Sequence, residues 1–321
     1  MSPRPPKEEV RIGISSCLLG QAVRYDGGHK RNALLTGAFA EFMTFVPVCP
    51  EVEVGMGVPR PPMRLVRLGR ETRVLDPASG LDHTESMRAF SRARVGELAA
   101  LDLSGYILKR DSPSCGMERV KVYPGSGPAA REGVGLFAQE LLRRMPLLPV
   151  EEEGRLDDPA LRENFVERVF AYRRLQALLR GRFKVGDLVR FHTGEKLLVL
   201  AHEPKGYAAL GRLVAAAKRL PPAEVKARYR ELYLRALRVP ATKGKPCNVL
   251  LHMAGYLKDR LAPGERLELS EIIHDYRRGR VPLVVPLTLL RHHLRRLGAP
   301  YLEGQAYLDP HPSELMLRNH V

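Results

Sequence analysis

Three cysteines in the first half of the chain each follow a strand-like apolar run and fall in a short turn rich in Gly, Pro or Ser: Cys17 in ISSCLLG, Cys49 in FVPVCPE and Cys115 in LKRDSPSCGM. Loops at the strand ends of an α/β sheet converge on one edge, where open sheets place their ligand sites. Three thiolates gathered there make a metal or cluster site with one coordination position unfilled. No C-x-x-C pair occurs, which argues against a structural zinc knuckle. Widely spaced thiols arriving from separate loops suit an iron–sulfur cluster in a preformed pocket. Three ligands on a four-iron cluster leave one iron for substrate, and thiophilic iron takes sulfur in preference to oxygen.

Acids, hydroxyls and cations crowd the same segments. Glu51 follows Cys49 by two residues. A carboxylate beside a metal-bound electrophile can activate water if its pKa is tuned; taken alone, it reads equally as a surface or helix-capping glutamate. Ser112 and Ser114 bracket Pro113 ahead of Cys115 and can donate hydrogen bonds to substrate or to sulfur. Backbone amides in such a turn stabilise anionic sulfide or a cluster. In SSCLLGQAVRYDGGHK, Arg24, Asp26 and Lys30 flank the pair Gly27-Gly28, which permits positive φ and close approach of a ligand. Gly55 and Gly57 suggest a second close approach, and Arg60 and Arg64 are available to phosphate or to water.

The elements that must position these residues alternate in type. Val10, Ile12 and Ile14 alternate as in a strand, and the apolar segment 38–45 leads into a strand over 44–48. Residues 64–76 read as a hairpin turning at Gly69, and 84–101 as a helix with Thr84 as its N-cap. A short buried strand over 106–109 feeds the Cys115 turn, 135–145 is helical, and 147–150 is a closing strand. Strands alternating with helices imply an α/β domain with a mostly parallel sheet over residues 1–152. The segment EEEGRLDDP, 151–159, reads as a charged, turn-rich connection. Asp158-Pro159 then starts a helix, Asp capping and Pro fitting the first turn, with Phe165, Val169, Tyr172, Leu175 and Leu179 at helical spacing. Further helical runs are 187–200, capped by Asp187, then 205–219, 222–238, 246–261, 268–278 and 286–297. Residues 158–321 are therefore expected to form an all-α, basic domain.

A length of 321 residues suits about two domains, and 44% hydrophobic with 27% charged residues is ordinary for a globular protein. No apolar stretch approaches the roughly 18–20 residues of a membrane span, and the first ten residues lack a secretory hydrophobic core. A cytoplasmic location with no membrane partner is expected, and there four cysteines serve metal binding or chemistry rather than disulfides. The formal net charge is +16, with 21 basic against 16 acidic residues over 1–150 and 31 against 20 over 151–321. Such an excess favours nucleic acid, though an Arg-rich composition or a heat-adapted surface also produces it. Aromatics at 6%, without Trp, argue against extensive base stacking.

The motifs SSCLLGQAVRYDGGHK, CPE and KRDSPSCG, in this order, resemble the thiouracil desulfidase family over about residues 10–150. The resemblance implies a [4Fe-4S] cluster on Cys17, Cys49 and Cys115 and non-redox removal of sulfur from a thiolated pyrimidine. The open iron takes up the substrate sulfur, and an acid and a serine assist; by motif position these are Glu51 and Ser112, with Ser114 a near neighbour. From about residue 160 the chain resembles the helical domain found fused to this module, through FHTGEKLLVLAHEPKGYAALGRLVA, CNVLLHMAGYLKDRL, IIHDYRRGRVPLVVPLTLLRHHLRR and YLDPHPSELMLRNHV. Similar fused proteins are tRNA 4-thiouridine desulfidases, which makes thiolated tRNA the expected partner, uridine and sulfide the products, and a redox partner unnecessary.

In this second half Arg291, His292, His293, Arg295 and Arg296 form one basic run, Arg277, Arg278 and Arg280 another, and Lys243 and Lys245 flank a glycine. Each reads as a phosphate contact or as a solvated face. His192, His202, His252 and His274 match no zinc spacing, and Cys247 reads as a buried or reserve thiol rather than a fourth ligand. Three alternatives stay open. One is a desulfidase for free thiouracil or thiolated nucleosides, and another a non-catalytic cluster protein that binds RNA. The third, a sulfur-inserting tRNA thiolase, is disfavoured because the chain has no P-loop.

Overall fold

The structure is a computed structural model of the whole chain, and it describes residues 9–124 and 127–321. The chain divides after Asp157 into two compact units.

The first unit is built on two four-stranded sheets. One joins β1 (Arg11–Ser15), β2 (Thr44–Val48), β5 (Gly105–Leu108) and β8 (Val150–Glu152) in the order β2-β1-β5-β8, with every pairing parallel. Ile12 and Ile14 of β1 and all of β5 are buried, as in a sheet covered on both faces. The other sheet, β4-β3-β6-β7, carries the hairpin β3 (Arg64–Leu68) and β4 (Glu71–Leu75), which turns at Gly69 with φ +61°. Leu65 of β3 and Val74 of β4 pack with Met87, Val120, Val122 and Leu136 in a compact apolar cluster. Helices α2 (Thr84–Ala100) and α3 (Leu136–Arg144) pack on each other, and α1 (Pro50–Glu53) is one turn after β2.

The expected fold class holds: a mostly parallel α/β first half and a helical second half. Several local expectations are corrected. The strands β6 (Val120–Tyr123) and β7 (Ala130–Gly133), and with them the second sheet, were not expected. Thr84 does not cap α2: His83 holds the cap position, and the Thr84 hydroxyl accepts from Val74 N at 2.9 Å, as Asp82 accepts from Thr84 N. The closing strand runs over Val150–Glu152 rather than 147–150. The start of the supposed charged connection is therefore a buried edge of the sheet, and Glu151, Glu152 and Glu153 are all buried.

The second unit, described from Asp158 onward, holds α4 (Pro159–Arg180), α5 (Val185–His202), α6 (Pro204–Ala216), α7 (Pro222–Leu237), α8 (Gly244–Gly255), α9 (Pro263–Arg277) and α10 (Val284–Leu297). Asp158 caps α4 by accepting from the amides of Ala160 and Leu161, each at 2.9 Å, with Pro159 in the first turn. Asp187 is not a cap. Lys184 holds that position, and Asp187 lies in the first turn of α5, paired with Arg190. Helix α9 starts at Pro263, earlier than its apolar spacing suggested, because Pro fits the first turn and Glu265 accepts from Ala262 N at 2.9 Å.

Arg318 ties the chain's end to α4 by pairing with Glu163 and Glu167 at 2.9 Å each, and His202 meets Glu167 at 3.1 Å. Burial pushes the Glu163 carboxyl up, whereas for Glu167 the bonds from His202 and Arg318 overcome burial and hold it down. His192 bonds the Tyr229 hydroxyl at 3.2 Å, and burial pushes its pKa down to about 4. Cys247 is buried in α8. Among the described residues no helix is long and apolar enough to cross a membrane.

Candidate active site

Strand order explains why the three thiols meet. β2, β1 and β5 are parallel neighbours, so their C-terminal ends share one edge of the sheet. Cys17 lies in the 3-10 turn directly after β1, Cys49 sits between β2 and α1, and Cys115 lies in the turn that follows β5. All three line a single cavity of about 390 Å³, together with Glu51, Ser112 and Ser114. Local chemistry holds each turn. The Cys49 amide donates to the Glu53 carboxylate at 2.9 Å, which starts α1 behind Pro50. The Cys115 turn is backed by Gly135, where an added Cβ would stand 2.5 Å from the Ser114 carbonyl, so only glycine allows the approach.

Burial dominates the thiols. It pushes Cys17 up to about 11, raises Cys49, and raises Cys115 further still. Lys109 pulls Cys17 in the opposite direction, and Cys49 adds to its rise. A bound metal reverses this balance, since its charge displaces the thiol proton. All four cysteines are free thiols. Among the described residues, no three His, Cys, Asp or Glu side chains are close enough to clasp one metal ion. A cluster asks for something else: each thiolate binds a different iron, so its ligands stand farther apart than those around one ion. Three thiols on the wall of one cavity, Cys17 and Cys115 buried and Cys49 half-buried, fit that demand.

Glu51 is held at both oxygens. Arg60 donates to Oε2 at 2.5 and 3.0 Å, and the Ser114 hydroxyl donates to Oε1 at 2.8 Å. The Arg60 side chain is only 7% exposed and also donates to the carbonyls of Val23 and Gly57. Arg60 is thus neither solvated nor free for phosphate, and Arg64 lies over the Tyr123 ring at 4.6 Å. The serines divide the work differently from the motif order. Ser114 touches Glu51, while the Ser112 oxygen lies 3.0 Å from the Ser114 hydroxyl and accepts from the amides of Ser114 and Cys115.

The acidic stretch contributes residues that sequence reasoning missed. The Glu153 carboxylate accepts from Arg110 N at 2.7 Å and pairs with the Lys109 ammonium, while Glu152 accepts from Met117 N at 2.7 Å. Two buried carboxylates on β8 and just after it thus fasten both ends of the Cys115 turn. Their only sequence signal was an acidic run directly after an apolar segment, which a solvent-facing linker shows equally.

The basic runs of the second unit are partly committed. Arg291 pairs with Asp309 at 2.7 Å, Arg296 with Glu265 at 2.6 Å, Arg278 and Arg280 with Asp275, and the Lys245 ammonium bonds the His202 carbonyl. His293 is buried, whereas Lys243, Arg277, His292 and Arg295 remain exposed.

An α/β unit whose adjacent parallel strands deliver three thiols, a clamped carboxylate and a hydroxyl pair to one cavity has the layout of an enzyme with its site at the sheet's C-terminal edge. Residues 12–153 match the family model described as 2-thiouracil desulfurase, and residues 196–312 match one described as a protein of unknown function, DUF1722. The chain is 32% identical over 166 residues to the uncharacterized protein YbgA of Escherichia coli strain K12, covering 51% of this chain and 95% of that one. It is 33% identical over 110 residues to the uncharacterized protein YbbK of Bacillus subtilis strain 168, covering 33% of this chain and 72% of that one. A solved structure titled as the [4Fe-4S]-dependent thiouracil desulfidase TudS shares 33% identity, with 49% of this chain and 100% of that one covered, at a TM-score of 0.40. The chain belongs to the 2-thiouracil desulfurase family, in a two-part form that continues into the DUF1722 region.

Proposed function

We propose that this protein removes sulfur from 4-thiouridine in tRNA, giving uridine and hydrogen sulfide, with water supplying the oxygen and no net electron transfer. In this reading Cys17, Cys49 and Cys115 hold a [4Fe-4S] cluster, residues 1–152 are the catalytic domain and residues 158–321 hold the tRNA. The cytoplasm is the compartment, where thiols stay reduced. The observation that carries the reading is the meeting of three thiols, two buried and Cys49 half-buried, with Glu51 in one cavity.

A cluster held by Cys17, Cys49 and Cys115 would supply thiophilic Lewis-acid chemistry for the thiocarbonyl group. The chain's own residues do the rest. Glu51, pinned by Arg60, presents Oε1 to a water and takes its proton as the oxygen attacks the thiocarbonyl carbon. Ser114 sets the direction of Oε1, and Ser112, its oxygen filled by two backbone amides, steadies Ser114. The fastening by Glu152 and Glu153 keeps the turn in register with Glu51. A base in folded tRNA must leave its stack to reach the cavity, at a cost of about a few kcal/mol. The basic surplus of the second unit supports phosphate contacts that offset it.

The test is anaerobic reconstitution followed by nucleoside analysis of thiolated tRNA. Loss of 4-thiouridine matched by uridine and sulfide is expected. Unchanged 4-thiouridine together with turnover of free thiouracil would transfer the assignment to the second reading, a free-base or nucleoside desulfidase. A cavity of about 390 Å³ also suits that reading, since it accommodates a small ligand by itself.

A further inference from the structure

We propose that Arg60 is a positioning residue with two loads: one guanidinium holds the Glu51 carboxylate and also straps the loop 21–28 into the cavity wall, so that acid and loop keep register through a single side chain. The inference rests on the desulfidase reading of this cavity and assigns within it a group that acts through its neighbours.

A guanidinium offers five N–H donors in one rigid plane. Four of those on Arg60 are engaged. Nε and Nη2 donate to Glu51 Oε2, Nη2 also to the Val23 carbonyl at 3.0 Å, and Nη1 to the Gly57 carbonyl at 3.1 Å. The backbone amide of Arg60 adds a bond to the Tyr25 carbonyl at 2.8 Å. One residue thereby touches the α1 turn, the 55–58 stretch and the 21–28 loop. The side chains of Arg60 and Glu51 are both largely buried. In so dry a setting a paired charge fixes geometry, and leaving one partner alone is costly.

The loop depends on these bonds. Its other backbone bonds run within itself: Val23 N to Gln21 O, Arg24 N to Gly28 O, and Gly27 N to Arg24 O. Arg24 and Asp26 pair inside it as well. Among the described residues, its one further hydrogen bond to the rest of the chain is long, from the Cys49 thiol to the Val23 carbonyl at 3.9 Å. Val23, Arg24 and Tyr25 of this loop line the cavity. A loop that drifts reshapes that wall, and an acid that drifts loses its water; Arg60 prevents both. Lysine keeps the charge, but its one nitrogen cannot span Glu51, Val23 and Gly57 in a plane.

The full chain is compared as parent, R60M, R60K, E51Q and R60M/E51Q. Before reconstitution, hydrogen exchange is followed peptide by peptide. R60M and R60K should speed exchange over 21–28 by about tenfold, for the loss of one charge-assisted bond, and leave β1 and β5 at the parent rate. E51Q, whose amide oxygen still accepts from Arg60, should leave the loop as it is. After anaerobic reconstitution each variant is assayed on thiolated tRNA and on 4-thiouracil, with long incubations for the slow ones. R60M should keep the visible absorbance, lower kcat by about 10²-fold through the misplaced acid, and raise KM several-fold through the loop. R60K should restore part of kcat and leave KM raised. With Glu51 already replaced, R60M should cost no further kcat and still raise KM, because the two loads are separable. Parent-like exchange over 21–28 in both Arg60 variants overturns the proposal, as do kcat losses that multiply in the double variant. If R60M loosens β1 and β5 too, R60K is decisive: faster exchange confined to 21–28 supports the strap, and the parent rate overturns it. Absence of sulfide from every substrate, with the loop still loosened, would instead sink the desulfidase reading and leave the strap standing.

Discussion

The two units are similar in length and opposite in how they use charge. Residues 1–157 hold 22 Lys and Arg against 20 Asp and Glu, while residues 158–321 hold 30 against 16. In the first unit the acidic groups in and behind the cavity wall are bound and little exposed: Glu51 to Arg60, Glu153 to Lys109, Glu152 to a backbone amide. Paired buried charges contribute little net stability but fix geometry, and breaking one is costly. The second unit keeps its paired charges too, around Glu163, Glu167 and Arg318, yet leaves a surplus of cations on its surface. Wet, unpaired cations are what a polyanion displaces counterions to reach. In the proposed reading, the first pattern serves chemistry and the second holds a nucleic acid.

Substitutions that break this contrast differ in size. The largest effect is expected from Cys17→Ala, Cys49→Ala or Cys115→Ala. Each should abolish both the visible absorbance of the reconstituted protein and its turnover, while Cys247→Ala, in the helical unit, should retain both. Next, Glu51→Ala should keep the absorbance and lower kcat by about 10²- to 10⁴-fold, the usual contribution of general base catalysis. Full activity in that variant would remove Glu51 from the mechanism.

A smaller change tests the other unit. Charge reversal at Lys243 or Arg295 should weaken tRNA binding and lower the slope of log K against log salt by about one. The ratio of tRNA to free-thiouracil turnover should fall with it, and equal loss on both substrates would erase the division of labour. The smallest effect concerns pH. His192 is held at about 4 in the folded chain against an ordinary value of about 6.5, because burial disfavours the charged ring. The unfolded chain therefore binds more protons between those values, so stability should fall as pH drops from about 6.5 to 4 and level off below. His192→Gln should flatten that part of a thermal-melt pH series relative to the parent.

Much of this arrangement was legible locally. The strand 44–48 and the Gly69 hairpin matched their structures because alternation and a turn glycine are short-range signals. The three thiols declared themselves by their place after apolar runs. What escaped was decided by distant partners. β6 and β7 are four residues each, and β6 takes its place by pairing with β3, far back in the chain. Glu152 and Glu153 look like solvent residues until amides 35 and 43 positions away are seen to bind them. Arg60 was open to phosphate in sequence and closed by Glu51 in space. Ser112 and Ser114 cannot be ranked from a motif, because the Pro113 turn decides which hydroxyl faces the acid.

The acidic edge strand also bears on where the catalytic part of this chain can be cut. A fragment ending at residue 150 would retain Cys17, Cys49 and Cys115 and the whole 44–48 strand, and by motif content would look complete. It would lack the two carboxylates that hold the amides of Arg110 and Met117. Excision of a working minimal enzyme, or transplantation of this module onto a different partner, therefore has to carry the chain through Asp157, where the compact unit ends.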